Sequence, residues 1–341
     1  MLQLGTGQAA EVDSAEARQS LVARTKALQE EKGSRDAVDY LVGQLGTELS
    51  TERNEDYFAE ALNFHLGILE SYSGRPEAMA EHIRLSHTMP GPELGILFSD
   101  HVALSMAARE HQQHAMARGL PAILFACMPR SASATLTHSL AKLLDIPVVR
   151  TSIGAFPGHF LVPSWLDMFL EGGAITQDHF MLNDFNRGVL SSRGSRDIFV
   201  TIRDPRSAAR SQVHWVSGGR PDDPALVEAH ILLQCENHFV PWLQSWIAAA
   251  NDPACPFRVH MIRFEDVARD LPGTVHHITR SLQEKCSAMG PYAKYVDVEE
   301  VKIHFKGGDD DAWRSEVSEA TAAQLWESCT AEIRDLLRLK P

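Results

Sequence analysis

The sequence predicts an α/β fold in which a parallel sheet is flanked by helices, with an all-α region at the N-terminus. From residue 121 onward, short apolar segments that suit buried strands alternate with segments whose apolar residues recur every three or four positions. Before residue 118, helical spacing prevails and strand signals are nearly absent. These observations predict a helical region at 1–118 and an α/β domain at 119–341.

The predicted elements of the α/β domain follow one another in strand–helix order. Helices of the N-terminal region are predicted at 16–31, 35–49, 54–71, 76–86 and 97–117. Strands are predicted at 121–128, 146–151, 197–202 and 258–264, with a short strand at 172–175, and helices at 135–145, 205–217 and 224–250. Trp242 and Trp246, four residues apart on the last helix, are predicted to be core residues. Strands joined by helices form a parallel sheet, and ligands bind such sheets at the carboxyl ends of the strands.

The loop after the first strand has the residue types of an anion site. It consists of Pro129, Arg130, Ser131, Ala132, Ser133, Ala134 and Thr135. The hydroxyls and the loop amides can donate hydrogen bonds to phosphate oxygens, and Arg130 adds positive charge. The loop is P-loop-like, but the string G-x-x-x-x-G-K-[ST] is absent from the sequence. This absence argues against an ATP or GTP hydrolase.

A second loop of the same kind follows the strand predicted at 197–202. Asp204 can cap the following helix, and Pro205 occupies its first position, where a missing N–H costs nothing. We expect exposed amides of the first helical turn and two basic side chains, Arg203 among them, to converge there on a dianion. Two such sites predict a ligand with two separated phosphates, or with a phosphate and a sulfate.

Composition excludes several classes of partner. The 341 residues are 44% hydrophobic and carry a net charge of −13, which disfavours nucleic acid and anionic membranes as partners. The sequence contains no apolar segment of the roughly 20 residues that span a bilayer and no secretory signal. Five scattered cysteines indicate reduced thiols and a cytoplasmic location. No metal site is predicted, because His111 and His114 lack a third ligand.

In this order the motifs resemble those of the PAPS-dependent sulfotransferases, over about residues 121–335. The first loop resembles the 5′-phosphosulfate loop of that family, and Arg203 with Ser211 resembles its 3′-phosphate site. Residues 263–267 resemble the late strand and acidic turn of the family. Lys306 and Gly307 resemble the C-terminal Lys-Gly segment that returns to the 3′-phosphate. Arg130 stands where many members have lysine, and Ala132 replaces the usual glycine, which predicts a less demanding backbone.

The resemblance implies a PAPS-binding domain at 119–341 and a P-loop-like sulfotransferase fold. PAPS (3′-phosphoadenylyl sulfate) is then the cofactor and PAP the product, and a hydroxyl or amine of a small molecule or sugar is the acceptor. The loop from Arg130 to Thr135, with Arg203, Ser211, Lys306 and Gly307, would bind the cofactor. Arg130 would also stabilise the leaving phosphate.

His179 is the predicted general base, because it lies between the two phosphate motifs as the catalytic histidine of the family does. His159 is the alternative histidine, and Asp178 or Asp184 could provide a carboxylate base. Two other functions stay open, a non-catalytic nucleotide-binding scaffold and a P-loop kinase-like phosphotransferase. The acidic balance disfavours highly anionic polysaccharides as acceptors. The sequence determines neither the acceptor nor the oligomeric state.

Overall fold

The structure, a computed structural model, describes part of the chain. The described residues are 23–28, 30–31, 99–153, 156–157, 159–161, 163–216, 223–294, 298, 301 and 311–340. The chain divides into two compact units, Met1–Ala107 and Ala108–Pro341. In the first unit, residues 23–28, 30 and 31 are helical, as predicted; the helices predicted at 35–49, 54–71 and 76–86 lie outside the described residues. The boundary near residue 118 stays a prediction.

A five-stranded parallel sheet forms the centre of the second unit, which confirms the predicted α/β class. Its strands are β1 (Ala122–Cys127), β2 (Val148–Val149), β5 (Ala174–Thr176), β6 (Asp197–Ile202) and β7 (Arg258–Arg263). Their order across the sheet is β2-β5-β1-β6-β7. The chain moves from β1 to one edge, returns through β5 and crosses to β6. The two motif loops therefore leave adjacent central strands at the carboxyl edge of the sheet.

The central strand β1 is buried because both of its faces carry apolar side chains. Leu124 and Ala126 belong to one hydrophobic cluster, and Ile123, Phe125 and Cys127 belong to another. Alternate residues of a strand point to opposite faces, so the two clusters cover the two sides of the sheet. The first motif loop therefore departs from a strand that is buried on both sides of the sheet.

Helices flank the sheet. They are α1 (Ser99–Ala117), α2 (Ser133–Leu144), α3 (Pro163–Leu170), α4 (Asp184–Ser192), α5 (Pro205–Val216), α6 (Pro224–Gln234), α7 (Val240–Asn251), α8 (Phe264–Arg269), α9 (Leu271–Gln283), α10 (Glu319–Ser328) and α11 (Ala331–Leu337). The single helix predicted at 224–250 is divided between α6 and α7 by a π-helical turn, Cys235–Phe239. Trp242 and Trp246 of α7 are fully buried, which confirms them as core residues.

A small antiparallel pair lies outside the main sheet and was not predicted. Its strands are β3 (Ser152–Ile153) and β4 (Phe160–Leu161), with Ser152 opposite Leu161. This pair follows β2 at the carboxyl edge of the sheet. It therefore places Ser152 and His159 close to the residues that follow β5.

Two observations concern the cellular setting. Every helix in the described part of the chain is too short or too polar to cross a bilayer. All five cysteines are free thiols, and Cys127, Cys235 and Cys329 are buried. The cytoplasmic location stays a prediction.

Candidate functional site

The two motif loops meet at the carboxyl edge of β1 and β6. Arg203 Nη1 donates a hydrogen bond to the carbonyl oxygen of Arg130 over 3.1 Å. Arg130 Nε in turn donates to Ser211 Oγ, on the second turn of α5, over 3.0 Å. The structure thus brings together three of the sequence-predicted residues, and both guanidinium groups lie on the same side of the molecule.

The first loop contains two residues in the left-handed region of backbone space. Arg130 has φ 66° and Ala132 has φ 60°. The expectation that Ala132 requires a less demanding backbone than glycine is wrong, because its Cβ makes this conformation cost roughly 1–2 kcal/mol. Left-handed residues on both sides of Ser131 alternate the handedness of the backbone, which turns successive N–H groups toward one point. Strained backbone of this kind is found at binding sites.

The hydroxyls of the first loop play different roles. Ser131 Oγ is buried, donates to Met128 O over 2.6 Å and lies 2.7 Å from Thr201 Oγ1. This side chain therefore ties the loop to the end of β1 and to β6, which leaves only the backbone of Ser131 for contact with a ligand. Ser133 is also buried, and Ala134 is half-buried. Thr135 Oγ1 is buried and has no hydrogen-bond partner within the described part of the chain.

The second loop provides fewer donors than the sequence predicted. The amide of Arg206 donates to Asp204 Oδ1 over 2.9 Å, so Asp204 caps α5 as expected. The expectation of exposed first-turn amides is wrong at this position, because the cap already uses the Arg206 N–H. The Arg206 guanidinium is buried and pairs with Asp204 Oδ2 at 2.9 Å. Arg210 pairs with Glu316 at 2.7 Å, so Arg203 is the arginine of this motif that faces the first loop.

The guanidinium groups of Arg203 and Arg130 each lie against an aromatic ring. The Arg203 guanidinium lies 3.9 Å from the ring centroid of Phe264, the first residue of α8. Arg130 lies 5.9 Å from the ring centroid of Trp215, which is 44% exposed. Burial, followed by the charge of Arg203, lowers the pKa of Arg130. Arg203 is buried and Arg130 is half-buried, so the two cations repel each other, and an anion bound to both would relieve this repulsion.

His179 is fixed beside the first loop in a protonation state that suits a base. Its Nδ1 lies 2.7 Å from the carbonyl oxygen of Cys127, the last residue of β1. A carbonyl can only accept, so Nδ1 carries the proton and Nε2 keeps its lone pair. Burial and the nearby charge of Arg150 lower the pKa of His179 to about 4, although the bond to Cys127 opposes the shift. The imidazole is therefore neutral at pH 7 and can accept a proton.

A hydrogen-bonded chain supports the second histidine. The rings of His159 and His179 are 5.8 Å apart in an edge arrangement. His159 Nδ1 lies 3.3 Å from Ser152 Oγ, which donates to Asp178 Oδ1 over 2.8 Å. Asp178 Oδ2 accepts from both the amide and the hydroxyl of Thr151, each over 2.7 Å. Burial, and then the charges of His179 and Arg150, lower the pKa of His159 to about 3.

The two alternative carboxylates are in different settings. Asp178 is 2% exposed, and both of its oxygens accept hydrogen bonds from Thr151 and Ser152, so it organises the site and does not face an acceptor. Asp184 is exposed at the first residue of α4. Asp178 also lies beside the end of β1, where its carbonyl oxygen accepts from the amide of Cys127 over 2.6 Å, but its carboxylate is already occupied.

Sequence reasoning missed three residues that shape the site. Arg150 follows β2, Phe264 stacks on Arg203, and Trp242 Nε1 donates to the carbonyl oxygen of His179 over 3.1 Å. A signal existed for Arg150 alone, since a charged residue at the end of a predicted strand lies at the ligand edge of a parallel sheet. The other two contacts depend on tertiary packing.

The C-terminal Lys-Gly segment, Lys306 and Gly307, lies outside the described residues. The segment that follows it is described and packs on α5. Glu316 accepts hydrogen bonds from Arg210 and His214, each at 2.7 Å. Burial alone would raise the pKa of Glu316, but these two partners hold it below its usual value.

The neutral state of His179 leads to a prediction about how folding stability depends on pH. Unfolded histidine titrates near pH 6.5, whereas His179 in the folded protein titrates at about 4. Between these values the unfolded state binds more protons, so folding stability should fall as the pH falls from about 6.5 to about 4. Asp178 acts in the opposite direction, because burial raises its pKa. We therefore expect urea unfolding of the His179→Asn variant to show a flatter pH dependence than the wild type. Equal slopes over this range would contradict the assigned state of His179.

No family model matches the chain, and no curated protein matches it at a significant level. A crystal structure of the mouse sulfotransferase SULT7A1 complexed with PAP is similar, with a TM-score of 0.43 and 16% sequence identity. The match covers 65% of this chain and 88% of that one.

Proposed function

We propose that this protein is a sulfotransferase that uses PAPS and releases PAP. The observation that carries the proposal is the connection of three sequence motifs at the end of β1. Arg130 contacts Ser211 and Arg203, while His179 is tethered to Cys127, three residues before Arg130. A doubly anionic ligand in this loop would therefore lie beside a neutral imidazole.

The donor set of the site fits a ligand of this kind. The alternating backbone at Arg130 and Ala132 offers N–H groups, and two arginines offer charge. Thr135 Oγ1 is a buried hydroxyl without a partner in the described part of the chain, as expected of a group that meets an oxygen atom of a ligand. The contrast with Arg206 and Arg210, which pair with carboxylates, supports this assignment.

The residues of the chain can perform the steps that sulfuryl transfer requires. PAPS, when bound, supplies an activated sulfuryl group. The Arg130 guanidinium and the loop amides can stabilise the negative charge that develops on a leaving phosphate oxygen. His179 Nε2 can accept the proton of an attacking hydroxyl or amine, a contribution of roughly 10²- to 10⁴-fold. Phe264 and Ser211 hold the two guanidinium groups in place before the reaction.

The acceptor is a hydroxyl or amine of a small molecule or sugar in this proposal. Trp215, exposed beside Arg130, offers an apolar surface at the border of the site. Neither nucleic acid nor a membrane surface is proposed as a partner, because the net charge of −13 repels both. A cytoplasmic location, where thiols stay reduced, suits the five free cysteines.

Two measurements test the proposal. PAP at about 100 times its Kd should stabilise the protein by about 2.7 kcal/mol, and ATP with Mg²⁺ should stabilise it less. Labelled PAPS incubated with a panel of hydroxyl and amine acceptors should yield sulfated products detected by mass spectrometry. Stabilisation by PAP without transfer to any acceptor would favour the scaffold alternative, and no stabilisation by PAP would overturn the proposal.

A further inference from the structure

Arg150 lies at the same edge of the sheet as the proposed base. It directly follows β2, and β2 pairs with β5 so that Val149 lies opposite Thr176. His179 comes three residues after Thr176. Because the carboxyl ends of parallel strands meet at one edge, Arg150 and His179 emerge next to each other. The bonds from Thr151 to Asp178 fasten the two segments at this point.

The charges around Arg150 leave its guanidinium available for a ligand. Its side chain is exposed, and it forms no ion pair with any carboxylate in the described part of the chain. The nearby Asp178 carboxylate is buried, and its oxygens already accept from Thr151 and Ser152. Its two other neighbours, His159 and His179, are neutral at pH 7, since burial lowers the pKa of each. Arg150 is therefore an exposed cation beside a base that has no charge of its own.

We propose that Arg150 binds an anionic group on the sulfate acceptor, so that the acceptor is a hydroxyl or amine compound bearing a carboxylate, phosphate or sulfate. This inference rests on the proposed function, because Arg130 and Arg203 then hold the anions of the nucleotide. A guanidinium binds carboxylate and phosphate through two parallel hydrogen bonds, which also orients the bound molecule. An acceptor held in this way would present its hydroxyl or amine to His179.

The location of the Arg150 charge beside the base explains how a protein with a negative net charge could select an anionic acceptor. The net charge of −13 repels polyanions at long range. One arginine beside the base instead recognises a single anionic group at short range. An acceptor without that group leaves the guanidinium unpaired, and a charged hydrogen bond of this kind should favour the anionic acceptor by roughly 10- to 100-fold.

The test compares acceptors that differ in an anionic group. The pairs are 4-methylphenol with 4-hydroxybenzoate, glucose with glucuronate, and N-acetylglucosamine with its 6-phosphate. We expect kcat/KM to favour the anionic member by roughly 10- to 100-fold in the wild type. The Arg150→Gln variant should bring this ratio close to one, and Arg150→Lys should retain part of it. The matched control is Arg196→Gln, since Arg196 is exposed one residue before β6, at the opposite edge of the sheet.

Each outcome tests either the anion-binding role of Arg150 or the sulfotransferase function on which that role rests. An unchanged ratio in Arg150→Gln would overturn the role of Arg150, and so would a loss of PAP affinity in that variant. If PAP binds but no acceptor is sulfated, calorimetric titration of the PAP-saturated protein with 4-hydroxybenzoate decides. Binding that disappears in Arg150→Gln supports the anion site, whereas binding that is absent or unchanged overturns it. If PAP does not bind at all, the proposed sulfotransferase function fails. The same titration without PAP then tests Arg150 separately.

Discussion

Replacing His179 with asparagine should lower kcat by roughly 10²- to 10⁴-fold while leaving the Kd for PAP within a few-fold of the wild type. The asparagine amide can still donate to the carbonyl oxygen of Cys127, the partner of His179 Nδ1. It lacks the Nε2 lone pair, so the variant removes the base and keeps the tether. Single-turnover transfer from labelled PAPS measures the chemical step, and calorimetry measures PAP binding.

His159→Asn is the matched control for this prediction. His159 has the same neutral state, but its Nδ1 is directed at Ser152 and not at the end of β1. We expect less than a ten-fold loss in this variant. A larger loss in His159→Asn than in His179→Asn would exchange the roles of the two histidines.

The pH profile provides a second check on the base. The pKa of His179 is about 4 in the free protein. Protonation removes the lone pair that accepts the proton, so kcat/KM should fall as the pH is lowered through that value. Above it, the histidine stays available through neutral pH. An acid limb that persists unchanged in His179→Asn would assign the titration to another group.

Replacing Arg203 with alanine should weaken PAP binding about 100-fold or more, because a guanidinium can make two charged hydrogen bonds to a phosphate and each contributes roughly 1.5–3 kcal/mol. The change also removes the bond to the carbonyl oxygen of Arg130 and the contact with Phe264. At a PAP concentration 100 times the wild-type Kd, stabilisation should then decrease from about 2.7 to about 0.4 kcal/mol. Thermal unfolding with and without PAP measures both values.

The control for Arg203 is Arg258→Ala. Arg258 is the first residue of β7 and its side chain is 62% exposed, at the opposite edge of the sheet. This variant loses the same charge but should bind PAP with the wild-type Kd. Equal weakening in both variants would mean that the net charge of the protein, and not the site, governs nucleotide binding.

The main features of the fold were predictable because they depend on local pattern. The strand at 197–202 was predicted with its observed bounds, and the strands at 121–128 and 258–264 within one or two residues, since each is a continuous apolar or alternating segment. The pairing of β3 with β4 was not predicted. Each of these strands has two residues, and segments of that length carry no periodicity.

Side-chain direction explains what the sequence could not predict within the site. Arg203 and Arg206 lie three residues apart in one motif, yet Arg203 faces the first loop and Arg206 is buried against Asp204 and Trp313. That difference arises from how α5 packs on the C-terminal segment. Ala132 was expected to have an ordinary conformation, because alanine rarely adopts positive φ, but the turn between β1 and α2 imposes it.

The central claim is that Arg130 and Arg203 bind a single nucleotide whose sulfuryl group would lie beside His179. A crystal structure of the protein soaked with PAP tests this claim most directly. We predict that one phosphate of PAP contacts Arg203 and Ser211, and that the other lies in the loop from Arg130 to Thr135, near His179 Nε2. A nucleotide bound elsewhere, or a loop that remains empty at saturating PAP, would contradict the account.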